Sequence, residues 1–377
     1  MPAEKNTNKD VKMDSLNQFI AEIEQRQEKL RKAVRNSEVF DFNYTPKKIF
    51  IREETKKVIE SILSFEAMGV PNNMFIYGAR GSGKTVILKY LTNYLTTGRK
   101  LSVPVRFVNC RHNNTSLKIL AGILGIESNG LGAAELYHKL LKTHDKLIII
   151  LDEADLISRK ERTADILYYL SRAEKKYMLI LLSNSPGFYR RIDEATKSSL
   201  QLENLYFKNY NGEEILEILR NRCEEGIVRD VDSYDLARIA GMTNNECNGD
   251  VRIAIKALQY LTTQKYEDIR ENFDKAKKDI VVELLANQSD QIILILTAAL
   301  KSPDKLVKSV YFVYSITCKE NNVKPFTYQH FYNQLSYLQS TGLIMLISTR
   351  QKSGNPNKIE TLFDHNILSQ IYQYRFA

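Results

Sequence analysis

One short segment combines glycines, a lysine and a threonine at a spacing that suits phosphate binding. Residues 78–85, GARGSGKT, fit the pattern G-x-x-x-x-G-K-[S/T], in which backbone N–H groups wrap an anion. An apolar run, MFIY, precedes the segment and VILKYL follows it, so we expect a strand, a loop and a helix whose N-terminus faces the same anion. The sequence therefore predicts a phosphate-binding loop formed by Gly78, Ala79, Arg80, Gly81, Ser82, Gly83, Lys84, Thr85 and Val86.

Within this loop, Lys84 would reach the outer phosphates and Thr85 would ligate Mg²⁺. A pair of acidic residues follows the aliphatic run LIIIL: Asp152 and Glu153 come at the carboxyl end of a predicted strand. Asp152 would hold Mg²⁺ through water, and Glu153 would orient and polarise an attacking water. The predicted ligands are therefore ATP or ADP with Mg²⁺.

A polar residue also follows the next apolar run, LILLS. Asn184 stands just after it, where a side-chain amide could contact both the water and the terminal phosphate. The alternative is a turn or helix cap, a common role for asparagine.

These side chains require a parallel sheet to bring them together. Strands buried on both faces read as nearly continuous apolar runs. Five such runs alternate with helical segments, at residues 74–77, 105–109, 147–151, 179–183 and 205–207. The predicted fold class is α/β, a doubly wound sheet of five parallel strands.

Composition limits the class of protein without deciding it. With 377 residues, 43% hydrophobic and 26% charged, the chain has the composition of a globular protein with two or three domains. It has no apolar run of membrane-spanning length, and its start, MPAEKNTNKD, lacks an apolar signal region, so we expect a cytoplasmic protein without a membrane partner. The four cysteines lack paired spacing, which argues against zinc or disulfides. A net charge of +9 favours an anionic partner.

Changes of pattern along the chain predict four segments. Residues 1–12 have the composition of a disordered tail, and residues 14–34 have helical spacing on a charged background. The predicted organisation is an N-terminal segment, a nucleotide-binding domain, an all-helical lid and a C-terminal winged helix, at residues 1–40, 41–210, 211–285 and 286–377.

The C-terminal segment has the pattern of a duplex-binding winged helix. Thr327 is a good N-cap for a helix whose Phe331, Leu335 and Leu338 would face inward. Two strands, at residues 343–349 and 359–363, follow and are joined by a basic turn. A winged helix presents a helix N-terminus and a wing to DNA, although some wings contact proteins instead. The candidate DNA-binding residues are Thr327, Tyr328, Gln329, His330 and Asn333 on the helix, and Arg350, Lys352, Ser353, Asn355 and Lys358 in the wing.

Taken in order, the phosphate loop, the strand with Asp152-Glu153 and the strand with Asn184 resemble the AAA+ ATPases, whose first sensor matches Asn184. GDVRIAIKAL, at residues 249–258, is similar to their second sensor helix, with Arg252 in the position that reaches the nucleotide from the lid. A solvated arginine on an amphipathic helix is the alternative. More narrowly, four stretches resemble the archaeal Orc1/Cdc6 family of replication initiators. They are RNSEVFDFNYTPKKIFIREE, NCRHNN, SSLQLENLYFKNY and ILRNR.

This resemblance implies an ATP-dependent initiator, associated with the nucleoid, that binds double-stranded origin DNA and helps recruit the replicative helicase. A paralogous initiator is a candidate partner on the DNA. The resemblance implies that Tyr210 and Arg222 lie near the nucleotide, and that the N-terminal segment covers the adenine at Phe42, Tyr44 and Pro46. The family also carries an inserted helical element after NCRHNN. A second DNA contact is therefore implied there, and its exposed candidates are Asn114, Thr115, Ser116 and Lys118.

One stretch departs from the family. A segment resembling Asp-Pro-Arg-Val normally supplies an arginine to a neighbour's ATP, but Ala195 stands at that position here. Arg190 and Arg191 are close in sequence and are candidate substitutes. Because a missing arginine finger costs about 10³-fold or more in rate, we expect a weak or conditional ATPase.

Two other classes stay open. A STAND-type signalling ATPase also couples a phosphate loop to a winged helix, and a DNA-binding regulator could keep a nucleotide site that does not hydrolyse. A GTPase is not expected, because no N-K-x-D follows the third strand. The sequence leaves open the origin bound, the oligomeric state and whether the protein activates or represses initiation.

Overall fold

The protein is seen in a computed structural model that describes residues 20–348 and 357–376, except for 22, 26, 29–30, 129, 159–163, 229 and 264–267. These residues fall in two compact units, one within Met1–Phe50 and Asn211–Lys277, the other within Ile51–Tyr210 and Lys278–Ala377. The four-segment organisation stays a prediction. Across the described ranges, no helix combines the length and the apolar character that spanning a bilayer requires.

Five parallel strands form the central sheet, as predicted. They are β1 (Met74–Tyr77), β2 (Val105–Asn109), β3 (Lys146–Asp152), β4 (Lys176–Ser183) and β5 (Glu203–Tyr206). The order across the sheet is β2-β3-β4-β1-β5, so the strand before the phosphate loop lies between two others. Aliphatic residues of β3 and β4 pack in one buried cluster, which includes Ile149, Leu151, Leu179 and Leu181. The apolar runs of the sequence therefore mark the strands at the centre of the core.

Helices connect the strands and cover the sheet. The helix after the phosphate loop begins at Lys84, two residues earlier than the sequence predicted, because Gly83 takes a left-handed conformation and ends the loop there. The helices of this region are α1 (Glu53–Met68), α2 (Lys84–Asn93), α3 (Ser116–Leu124), α4 (Ala133–Thr143), α5 (Ala164–Ser171), α6 (Gly187–Arg191) and α7 (Glu194–Leu200).

The segment predicted as the lid has four helices among its described residues. Asn211 caps the first one, since its side chain accepts a hydrogen bond from the Glu214 N–H and Glu214 accepts one from the Asn211 N–H, both at 2.9 Å. This reciprocal pair satisfies two backbone donors that a helix start leaves unpaired. The helices are α8 (Gly212–Gly226), α9 (Ser233–Glu246), α10 (Val251–Thr263) and α11 (Ile269–Ala286).

The C-terminal region has the predicted helix and hairpin, which two other helices precede and a last helix follows. Arg375 anchors this last helix by donating to the Gln288 carbonyl at 2.7 Å and to Asp290 at 3.0 Å. The elements are α12 (Asp290–Lys301), α13 (Val307–Glu320), α14 (Tyr328–Ser340), β6 (Ile344–Ser348), β7 (Asn357–Thr361) and α15 (His365–Phe376).

The N-terminal segment is helical at the described positions between 20 and 33, as its spacing predicted. Ile20 and Ile23 on this segment are 43% and 38% exposed. The tail predicted at residues 1–12 and the first part of the predicted helix, residues 14–19, lie outside the described residues.

Candidate functional site

The phosphate loop joins β1 to α2, and two of its glycines lie against the chain that follows β5. A Cβ on Gly78 would lie 2.3 Å from the Phe207 carbonyl oxygen, and one on Gly83 would lie 1.9 Å from the Tyr210 hydroxyl. Gly83 also has φ 85°, in the left-handed region that favours glycine. Glycine is therefore needed at these positions because a side chain would collide with Phe207 or Tyr210. It also leaves room for an anion to approach the backbone.

Lys84 is buried inside the loop. Its Nζ donates to the carbonyl oxygens of Gly78 and Ala79, both at 2.8 Å, and lies 3.3 Å from the Ser82 hydroxyl. The ammonium group is thus held at the centre of the predicted phosphate site.

The two predicted Mg²⁺ ligands are in contact. The Thr85 hydroxyl lies 3.0 and 3.2 Å from the two carboxylate oxygens of Asp152. Burial raises the pKa of the Asp152 carboxyl, and the hydrogen bond from Thr85 opposes that rise. A hydroxyl beside a carboxylate is the oxygen ligand set that Mg²⁺ prefers at phosphate loops.

Glu153 follows β3 in a left-handed conformation, with φ 53°. Its carboxylate accepts hydrogen bonds from Nε and Nη2 of Arg111, at 2.8 and 3.0 Å. Sequence reasoning did not assign Arg111, although NCRHNN contains it. Because Asn109 of β2 pairs with Asp152 of β3, the residues after these two strands must be neighbours, and the strand order was the missing signal.

Asn184 comes at the same edge of the sheet, since Ser183 of β4 pairs with Tyr77 just before the loop. The turn is held by Asp155, whose carboxylate accepts hydrogen bonds from the Ser183 hydroxyl at 2.8 Å and the Asn184 N–H at 3.2 Å. Sequence reasoning missed Asp155.

Arg80 contacts a helix of the C-terminal region. Its Nη2 lies 3.5 Å from the Tyr337 hydroxyl on α14, and that hydroxyl donates to Gln288 at 3.2 Å. The loop and the predicted DNA-reading helix are therefore in contact within one compact unit. No sequence signal predicted this contact, because 257 residues separate Arg80 from Tyr337.

In the other compact unit, Tyr44 and Arg222 lie together. The Arg222 guanidinium lies 4.9 Å from the Tyr44 ring centroid and donates to the Val39 carbonyl at 2.8 Å. The Tyr44 hydroxyl donates to Glu225 at 2.6 Å. Burial, together with this carboxylate, raises the pKa of Tyr44 to about 12. Sequence reasoning missed Glu225.

Arg252 belongs to the same unit and pairs with Asp250. Its Nε donates to the Asp250 carboxylate at 2.9 Å, and its backbone N–H donates to the same oxygen at 3.1 Å. Its predicted role at the nucleotide stays a prediction.

The helix α14 has the predicted inner and outer faces. Thr327 caps it by accepting a hydrogen bond from the His330 N–H at 3.4 Å, and Phe331, Leu335 and Leu338 are fully buried. His330 is only half exposed, because its ring packs against Phe326 with centroids 4.1 Å apart. The remaining candidates on this helix are exposed: Thr327, Tyr328, Gln329 and Asn333.

The predicted wing lies mostly outside the described residues, which include none of Arg350, Lys352, Ser353 and Asn355. Lys358 is described, but it lies in β7 and not in the turn where it was predicted. The reason is the hairpin register, which pairs Ile347 with Lys358 and Ser348 with Asn357.

The candidates for a second DNA contact lie at the start of α3. Thr115 caps this helix by accepting a hydrogen bond from the Lys118 N–H at 3.3 Å. Only Lys118 is fully exposed, whereas Asn114, Thr115 and Ser116 are half-buried, so the expectation of exposure was wrong for these three. The cause is the turn that caps the helix.

Ala195 is exposed in the first turn of α7, which Asp193 caps by accepting a hydrogen bond from the Thr196 N–H at 2.9 Å. Of the two candidate substitutes, Arg190 is exposed and Arg191 donates to the Asp155 carbonyl at 2.8 Å.

Known proteins are similar to this chain in sequence. The family described as an AAA domain matches residues 69–192. A relative named ORC1-type DNA replication protein 1, from Sulfurisphaera tokodaii, is 29% identical over 339 residues, which cover 82% of this chain and 85% of that protein. Over most of its length, the chain is similar to archaeal ORC1-type DNA replication proteins. This similarity confirms the resemblance stated from the motifs.

Two solved structures of archaeal proteins share the fold. The Aeropyrum pernix ORC1 protein in complex with DNA superposes with a TM-score of 0.66 at 23% identity, over 92% of this chain and 98% of that one. The Aeropyrum pernix ORC2 protein, in ADPNP-ADP complexes, gives a TM-score of 0.63 at 22% identity, over 91% and 99%. The AAA+ fold with a C-terminal winged helix is thereby confirmed.

Proposed function

We propose that this protein is an ATP-dependent replication initiator that binds double-stranded origin DNA and helps recruit the replicative helicase. The observation that carries the proposal is the contact of the phosphate-loop residue Arg80 with Tyr337 of α14. It joins a nucleotide site to a helix that presents polar side chains as a DNA reader does. The names of the relatives, which are DNA replication proteins, support the same reading.

The nucleotide site suits ATP or ADP with Mg²⁺. Lys84 would bind the outer phosphates, while Thr85 and Asp152 would hold Mg²⁺, which supplies charge neutralisation on the phosphates when it is bound. Glu153 would orient water once it leaves Arg111. The residues proposed to surround the nucleotide further are Asn184, Tyr210, Tyr44, Arg222 and Arg252.

On the DNA side, the N-terminal part of α14 would enter the major groove with Gln329 and Asn333 toward base edges. The wing cations and Lys118 would contact phosphate. Such a protein would act at the nucleoid in the cytoplasm, with a paralogous initiator as its partner on DNA.

Hydrolysis is proposed to be weak or conditional, because a neighbouring copy of this chain would offer Ala195 in place of an arginine finger and because Arg111 pairs with Glu153. The same two observations favour a second candidate, a DNA-binding regulator whose nucleotide site binds without turnover. The STAND-type alternative loses support, since the relatives are named DNA replication proteins.

The test combines footprinting of the full chain on genomic DNA with ATP binding by Lys84→Ala. We expect protection of discrete duplex sites near replication origins and a loss of ATP binding in Lys84→Ala with its fold retained. Lys57→Ala, an exposed lysine on α1, is the matched control and should bind ATP normally. Protection without any sequence preference would contradict the initiator proposal, and normal ATP affinity in Lys84→Ala would contradict the phosphate site.

A further inference from the structure

Arg52, the residue before α1, is a cation buried beneath the phosphate loop, with 6% of its surface exposed. Its Nη2 donates to the Ser82 carbonyl at 2.8 Å, and its Nη1 donates to the Lys208 carbonyl at 2.9 Å. The guanidinium lies 4.3 Å from the Tyr210 ring centroid. Its Nε has no hydrogen-bond partner, and among the described residues no carboxylate forms an ion pair with it.

This environment does not favour Arg52 on grounds of stability. Burying an unpaired charge is costly, and two carbonyls and an aromatic face replace its hydration only in part. Replacing buried charged groups with apolar residues of similar volume is often neutral or stabilising. A buried arginine in such a place therefore calls for a role in the adjoining loop.

The contact with Ser82 orients one peptide group of that loop. In a trans peptide the carbonyl and the following N–H point in opposite directions. By holding the Ser82 carbonyl, Arg52 turns the Gly83 N–H to the opposite side of the peptide. The loop motif uses such N–H groups to wrap phosphate.

Tyr210 restrains the same peptide from another side. Its hydroxyl oxygen lies 1.9 Å from the point that a Cβ on Gly83 would occupy. Because Arg52 also stacks on the Tyr210 ring and binds the Lys208 carbonyl, one side chain connects the loop to the segment after β5.

We propose that Arg52 is a positioning residue for the phosphate loop, whose guanidinium holds the Ser82–Gly83 peptide with its N–H toward the bound phosphates. The proposal rests on the proposed nucleotide site. It assigns Arg52 a function in affinity for nucleotide and not in the stability of the fold.

The experiment compares Arg52→Met, which keeps the volume but has no donor, with Arg52→Lys, which keeps the charge but cannot bridge both carbonyls with a planar fork. Affinity for Mg·ADP and Mg·ATP is measured by titration calorimetry, and stability without nucleotide by urea unfolding. Arg106→Met is the control. Arg106 lies on β2, and its guanidinium also donates to two carbonyl oxygens.

For Arg52→Met we expect at least about tenfold weaker binding of both nucleotides, as for a lost charge-assisted hydrogen bond, with an unfolding midpoint that is unchanged or higher. Arg52→Lys should recover part of the affinity, and Arg106→Met should bind normally. Unchanged affinity in Arg52→Met would overturn the proposal, whether or not the variant is less stable.

Amide hydrogen exchange of the nucleotide-free protein separates this proposal from the proposed function. Arg52→Met should exchange faster than the wild type in the peptide covering residues 78–85, whether or not the wild type binds nucleotide. If the wild type fails to bind Mg·ADP, the proposed function fails, while the exchange result still decides the role of Arg52. Equal exchange in the two proteins would count against it.

Discussion

The Glu153 carboxylate accepts two hydrogen bonds from the Arg111 guanidinium, at 2.8 and 3.0 Å. These hydrogen bonds raise the pKa of Arg111, which keeps the guanidinium charged. Both hydrogen bonds direct the carboxylate toward Arg111 and occupy oxygens that could otherwise contact water. We therefore expect the pair to restrain hydrolysis by the residue proposed to orient water.

Substitution of Arg111 by alanine should raise ATP turnover. Since half of the Arg111 side chain is exposed, the pair is worth no more than about 1 kcal/mol, or roughly fivefold in rate. ATP affinity should not change. The measurement is steady-state phosphate release, and a turnover below that of the wild type would show that the pair is the active arrangement.

Glu153→Gln is the control for the Arg111 variant. It should retain ATP, because Glu153 does not hold the phosphates, and lose turnover by about 10²-fold or more. If it turns over as fast as the wild type, another group activates the water and the pair has no part in the rate.

Ala195 predicts unequal sites in a mixed complex. When this chain is combined with a paralogue that carries the arginine, only the ATP bound by this chain should be completed by its neighbour. Ala195→Arg should then raise turnover at the paralogue's site, by up to about 10³-fold. Ser198→Arg, an exposed position on the same helix, is the control. Equal stimulation of both sites by the wild-type chain would contradict the prediction.

The contact between Arg80 and Tyr337 predicts that nucleotide and DNA influence each other's binding. Tyr337→Phe removes the hydroxyl and should lessen the effect of Mg·ATP on duplex affinity by up to about tenfold, as for one hydrogen bond. Binding of each ligand alone should be unchanged. An identical effect of Mg·ATP in wild type and variant would show that the contact does not couple the two sites.

Residues on α14 and in the wing should affect DNA binding differently. Gln329→Ala and Asn333→Ala should reduce preference for origin sequence by about 1 to 3 kcal/mol per lost base contact, while Gln339→Ala, exposed near the end of the same helix, should not. Removal of Arg350 and Lys352 should weaken binding to every duplex. It should also reduce the slope of log affinity against log salt concentration by roughly 0.9 per lost phosphate contact. Full affinity without these cations would indicate a wing that contacts protein.

Tyr44 predicts a component of stability that alkali removes. Its pKa is raised from 10.0 to about 12, so the stabilisation is complete below pH 10 and is lost as the pH rises through about 12. The causes are burial, which disfavours the ionised phenolate, and the hydrogen bond to Glu225, which ionised Tyr44 can no longer donate. Urea unfolding across this range should show a smaller alkaline loss in Tyr44→Phe than in the wild type, with Tyr234→Phe, at an exposed tyrosine, as control. Equal losses in Tyr44→Phe and the wild type would contradict this.

Local patterns in the sequence determined the elements and the residue types of the site. A strand, a loop and a helix were predicted from the apolar run before Gly78, the glycines and Lys84. Such predictions succeed because the backbone conformation of a short segment depends mainly on its own residues. Thr327 with Phe331, Leu335 and Leu338 predicted α14 and its inner face for the same reason.

Only the tertiary structure decided which side chains meet. Arg111 reaches Glu153 because β2 lies beside β3, and Lys358 falls in a strand because of the hairpin register. Arg52 reaches Ser82, and Arg80 reaches Tyr337, through packing between elements far apart in the chain. Strand order, register and helix packing follow from burial summed over the whole chain, which no local pattern contains.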